Sequence, residues 1–259
     1  MATLQDLPVE LVLDIHLFSL SSALPIVSRH FRNLFSATSP WHRARFLLLR
    51  HERKTLAHAI KYTICTLDVV HVLEKIAHSQ GKKLKCPQLP RRLFKGIGRG
   101  KQEDQVDLPL ITHLLETYRS SPNSQDGYPL ARAVLGRHLP LIRLLLRHGA
   151  DPSLKGGWAV TTAIANGDQD LVRMLLEREV DREEAGIADD EVIFKAKNGS
   201  AKKRRRGSTG GGGKRRRVED RCPATKEMLE TAVKAKQWAI VDYLTAKGAP
   251  PSLNVLAML

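Results

Sequence analysis

The strongest constraint on the fold is a sequence pattern that recurs. Tyr128-Pro129-Leu130-Ala131-Arg132-Ala133 opens a segment that continues with Leu141-Ile142-Arg143-Leu144-Leu145-Leu146 and closes on Arg147-His148-Gly149-Ala150-Asp151. Thirty residues on, residues 158–163 open a second copy, with Asn166-Gly167-Asp168, the run Leu171-Val172-Arg173-Met174-Leu175-Leu176, and Asp181. A further copy has Met228-Leu229-Glu230-Thr231-Ala232, Ile240-Val241-Asp242-Tyr243-Leu244 and Lys247-Gly248-Ala249. Each copy reads as a small-residue helix, a turn, and a leucine-rich second helix. Pro129 suits a first helical turn, where its missing N–H leaves nothing unpaired. Ala133 and Ala163 are small where inner helices must approach closely. Gly149 and Gly248 fall where a left-handed residue ends a helix. Leu141, Leu144 and Leu145 share a face, and a single hairpin cannot cover it, whereas a stack of hairpins can.

These passages resemble ankyrin repeats, whose units of about 33 residues open on Thr-Pro-Leu-His-x-Ala. The signature His is absent from every copy, and the spacing here is 30. Fainter copies precede them: residues 55–60 with 68–73 read as a divergent first unit. Residues 90–95 with 108–115 read as another, and residues 189–197 as a partial one. The resemblance implies an open array that presents turn tips and inner-helix faces to a target protein. Those positions are Ser153, Lys155 and Gly156 at a tip, and Arg132, Leu135 and Thr162 on inner helices.

A different pattern occupies residues 6–48. Leu7, Leu11 and Ile15, then Leu24, Val27, Phe31 and Leu34, are spaced for helices, with breaks at Ser21-Ser22 and residues 36–40, so three short helices are expected. Leu7-Pro8-Val9-Glu10-Leu11, Ile15, Leu20, Leu24, the run from Val27 to Leu34, and Trp41 resemble the F-box, a three-helix motif of about 40 residues. Ser28 stands where that family commonly has Cys, and Phe31 where it commonly has Trp. The family docks on the Skp subunit of an SCF-type cullin ubiquitin ligase, which implies Skp contacts at Leu7, Pro8, Leu11, Ile15, Leu24 and Val27. A segment this short cannot bury all its large apolar side chains itself. The bland alternative is a cap on one end of the helical array.

Charge is concentrated. The chain carries +15, and residues 202–217 hold nine Lys or Arg with no acid, leaving +6 elsewhere. Lys202, Lys203, Arg204, Arg205 and Arg206, then Lys214, Arg215, Arg216 and Arg217, flank a Gly/Ser/Thr spacer inside residues 198–223. Such a stretch cannot bury enough apolar area to offset its ordering entropy and is expected to be disordered. Two clusters at this spacing resemble a bipartite nuclear import signal bound by an import receptor, and place the protein in the nucleus, with the cytoplasm as a second compartment. Phosphate binding or a solvated linker are the other readings. No aromatic interleaves with the charges, so nucleic acid is not the expected partner.

The remaining expectations are absences. Apolar residues make up 42% of the chain but aromatics only 5%, which favours helices over a ring-rich β-sandwich. No apolar run approaches a membrane span, and Glu10 and Asp14 interrupt the first apolar stretch, so neither a membrane partner nor a secretory leader is expected. Cys65, Cys86 and Cys222 share no spacing for a disulfide framework or zinc. Residues 96–101 lack the first glycine and the Ser or Thr of a phosphate loop, and no His-Glu-x-x-His or Gly-x-Ser-x-Gly occurs. The expectation is an all-α, non-catalytic adaptor without metal or cofactor, arranged as an F-box-like motif (6–48), ankyrin-like repeats (52–197), the basic insertion (198–223) and a final repeat (224–251).

Overall fold

A computed structural model describes residues 4–51, 55–98, 106–178 and 220–251. The chain divides into two units, residues 1–150 and 151–259. Both are helical, and the described residues contain no β-strand, only one isolated bridge between Gln88 and Ser121. No described helix is long and apolar enough to cross a membrane.

The first unit begins with α1 (Val9–Ser19), α2 (Leu24–Val27), α3 (Arg29–Ser36) and α4 (Pro40–Arg50). Four elements thus stand where three helices were expected. The cause is Ser28: its backbone is extended and its hydroxyl accepts the Phe31 N–H, so one apolar stretch becomes two helices meeting at a cap. Ser39 caps α4 in the same way. Val12, Phe31 and Phe35 form a core that Leu13, Leu24 and Leu34 pack against. Arg50, on the last turn of α4, donates to the Leu20 carbonyl, to Ser22 Oγ and to Tyr62 Oη, fastening the end of α1 to α4.

Next come α5 (Thr55–Ala59), α6 (Leu67–Ser79) and α7 (Leu108–Tyr118), with α6 packed on α4 and on α7. The helix expected over 90–95 is only a 3-10 turn, Arg91–Phe94, with the buried ring of Phe94 as its anchor. The unit ends in a hairpin of α8 (Ser124–Leu135) and α9 (Leu139–Arg147). In α8 the residues Gln125, Asp126 and Gly127 are left-handed, so the regular helix starts beside Pro129, as its chemistry requires.

The second unit contains α10 (Leu154–Ala165), α11 (Gln169–Leu176), α12 (Lys226–Lys234) and α13 (Trp238–Ala246), two hairpins whose first helices, α10 and α12, pack directly on each other. Val160, Ala163, Ile164, Leu175, Met228 and Leu244 are fully buried between them. Three hairpins among the described residues close alike. The N–H groups of His138, Asp168 and Gln237 reach back to the carbonyls of Ala133, Ala163 and Ala232 at 3.0, 3.2 and 3.0 Å. Arg137, Gly167 and Lys236, one residue earlier, all have positive φ. His138 and Asp168 then cap the next helix through their side chains. Gly149 and Gly248 take φ of +84° and +87° after their helices, as read from the sequence.

Two further expectations meet the structure at their edges. The partial unit at residues 189–197 and the basic clusters at 202–206 and 214–217 lie outside the described residues. Asp220 to Pro223, assigned by the sequence to the insertion, pack onto the second unit: Cys222 is buried, the Arg221 N–H donates to the Leu176 carbonyl at 2.8 Å, and Asp220 accepts from Lys247 Nζ at 2.7 Å.

Candidate docking interface

The sequence makes α1 apolar on two sides. Val12, His16 and Leu17 turn into the unit and are buried. Leu11, Ile15 and Phe18, spaced i, i+4 and i+7, form a stripe on the opposite side and stay in water. Phe18 is 87% exposed and Leu11 50%. On the short α2, Ile26 and Val27 are 72% and 71% exposed. Leu7 and Pro8, ahead of α1, are exposed as well. Each such side chain forgoes roughly 1.5–3 kcal/mol that burial would supply.

Of the six residues assigned to Skp docking, Leu7, Pro8, Leu11, Ile15 and Val27 therefore face solvent. Leu24 is partly buried, packed on the Val12–Phe31–Phe35 core. Phe18 and Ile26 are exposed beside them, and Phe18 continues the Leu11–Ile15 spacing visible in the sequence.

Behind this face lies a cavity of about 290 Å³, lined among others by His16, Ile26, Phe35, His42, Phe46 and Tyr62. The His16 ring lies against Phe46 (centroids 4.0 Å apart) and Phe35 (4.2 Å). Both of its nitrogens, and Nε2 of His42, are buried without a hydrogen-bond partner. Burial, then the charges of His42 and Arg50, push His16 down to about 4, so it is neutral at physiological pH. Burial lowers His42 also. Neutral imidazoles in apolar walls can hold a water or a small polar group. Neither histidine was singled out in the sequence, because an aliphatic helical pattern hides an inward imidazole.

The residues assigned to target binding divide by what they already touch. Arg132 is engaged internally: its guanidinium donates to the carbonyls of Phe94 (3.4 Å), Lys95 (3.2 Å) and Ile97, closing the turn that follows Arg91–Phe94. It is a structural clasp rather than a free contact. Leu135 is 36% exposed and sits against Gly98, where an added Cβ would come within 3.1 Å of it. In the second unit, Ser153 donates its hydroxyl to Asp151 at 2.7 Å and remains exposed, as do Lys155 and Gly156 on a left-handed turn. The Thr162 hydroxyl is bound to the Trp158 carbonyl at 2.8 Å. Trp158 and Trp238, 43% and 51% exposed, were not singled out and offer larger contact area than any of these.

The three cysteines are free and buried, and burial raises each thiol, Cys65 to about 12, which makes them packing residues rather than nucleophiles. Comparison with protein families, curated proteins and solved structures finds no match for this chain.

Proposed function

We propose that this chain is a substrate-recruiting adaptor of an SCF-type cullin ubiquitin ligase. The observation that carries the reading is the outward stripe of Leu11, Ile15 and Phe18, opposite the buried side of the same helix, with Ile26 and Val27 exposed on the next one. That face docks on the Skp subunit, with Leu7 and Pro8 at its start. The ankyrin-like hairpins hold the target protein through exposed turn and helix positions, Trp158 among them. The basic clusters direct the chain to the nucleus. Ubiquitin transfer belongs to other subunits, and the adaptor contributes by raising the effective concentration of target at the loaded enzyme.

The alternative, a nuclear ankyrin-repeat scaffold whose first helices only cap the array, is disfavoured by the same face. A cap turns its apolar side inward, and α1 keeps a second apolar side outward. Co-expression of the full chain with a Skp subunit, followed by affinity capture, tests the proposal. Wild type should retain the subunit, and Leu11→Ala with Phe18→Ala and Val27→Ala should release it, since central hot-spot side chains are each worth about 2 kcal/mol or more. Failure of the wild-type chain to retain it overturns the reading and leaves the scaffold.

A further inference from the structure

We propose that His71, Glu74 and His113 form a binding site for a divalent transition metal ion, with Zn²⁺ the preferred occupant. Helix α6 sets His71 and Glu74 three residues apart and hence on one side, and α7 brings His113 opposite them within the same unit. One ligand atom from each lies within 4.8 Å of the other two. His113 Nε2 is 2.6 Å from Glu74 Oε1, and the His71 and His113 rings meet edge to face with centroids 5.0 Å apart. The sequence hid this set because its third member is 39 residues from Glu74.

The surroundings resemble the support that metal ligands use. Tyr118 donates its hydroxyl to Glu74 Oε1 at 2.6 Å, holding the carboxylate in place. Thr117 Oγ1 lies 3.4 Å from His113 Nδ1, the ring nitrogen a metal at Nε2 would leave to donate a hydrogen bond. Glu74 and His113 are mostly covered, at 28% and 21% side-chain exposure, while His71 is exposed and leaves a way in for a hydrated ion. Two imidazoles and one carboxylate with no thiolate suit Zn²⁺, Co²⁺ or Ni²⁺. Ca²⁺ and Mg²⁺ want oxygen ligands throughout. Bonds of about 2.0–2.2 Å to a tetrahedral ion put neighbouring ligand atoms roughly 3.3 Å apart, so the His113–Glu74 pair opens slightly to admit the ion, with His71 as the third ligand and water as the fourth. The ion would replace a hydrogen bond by a cross-link between α6 and α7.

The inference is independent of the ligase reading, and its test uses the tag-free full chain stripped with EDTA. Zn²⁺ titration by calorimetry should give one site per chain, and Co²⁺ should give visible bands of low-coordinate cobalt without thiolate charge transfer. His71→Ala and His113→Ala should each weaken Zn²⁺ binding about tenfold or more. His71→Ala, at an exposed position, should leave the metal-free melting temperature unchanged, so that its loss of binding is not misfolding. Absence of saturable Zn²⁺ binding by the wild type, wild-type affinity in His71→Ala, or thiolate–cobalt bands would each overturn the assignment.

Discussion

The first helices and the second unit's hairpins put their large apolar residues to different ends. In α10 to α13 the apolar positions point mostly inward, Trp158 and Trp238 apart, and two hairpins cover each other. In α1 and α2 they point both ways, so Phe18, Ile26 and Val27 stand more than two-thirds exposed. The difference separates residues that hold a fold from residues left in water. It also orders what substitutions should do.

The largest effect belongs to the hairpins. Leu175→Ala, at a site with no exposure, should cost about 2–5 kcal/mol, read as a lower urea midpoint for the second unit. A loss under 1 kcal/mol would mean that the hairpins do not shield each other.

The inward side of α1 should respond to acid. His16 titrates near 4 in the folded chain and near 6.5 when free, so the unfolded chain takes up the proton first as pH falls. The stability at stake is fully present above about pH 6.5 and is lost as pH drops toward 4, amounting to about 3 kcal/mol, with His42 acting in the same direction. Urea midpoints at pH 7 and pH 4.5 measure this. His16→Phe should flatten the difference, and an unchanged pH profile in that variant would assign the acid limb to other groups.

Smaller effects test local geometry on each side of the comparison. Gly157 has φ of +74°, and a Cβ there would run into Met228 Cε, so Gly157→Ala should lower stability by about 1–2 kcal/mol in thermal melts. Ser28→Ala removes the cap that starts α3 and should cost about 1 kcal/mol. Phe18→Ala should be the quiet one, within about 0.5 kcal/mol of wild type by urea titration. A large destabilisation there would show that Phe18 is packed and not awaiting a partner.

The hairpins were legible in the sequence because their signals are local and repeat: Ala133 and Ala163 at the tight crossings, and glycine or a polar cap at the turns. The left-handed backbone at Gln125, Asp126 and Lys155 was not, since these residues carry no preference strong enough to announce it; only the neighbouring glycines do. Periodicity also located α1 without saying which side is inside. Leu7, Leu11 and Ile15 make a helical stripe, yet the buried stripe is Val12, His16 and Leu17, and tertiary packing made that choice. The internal bonding of Arg132 is hidden from the sequence for a similar reason. Its partners, the carbonyls of residues 94, 95 and 97, come from a turn more than thirty residues away in sequence and leave no trace in the local pattern.

The joint between residues 176–177 and 220–221 has a consequence for how the second unit is held. Leu176 and Arg221 are bonded through their backbones, and Lys247 grips both Glu177 (3.1 Å) and Asp220 (2.7 Å), so two stretches more than forty residues apart in sequence are clamped side by side by one ammonium group. Losing that single amine would therefore unfasten both stretches at once, leaving the Leu176–Arg221 backbone bond as their remaining tie.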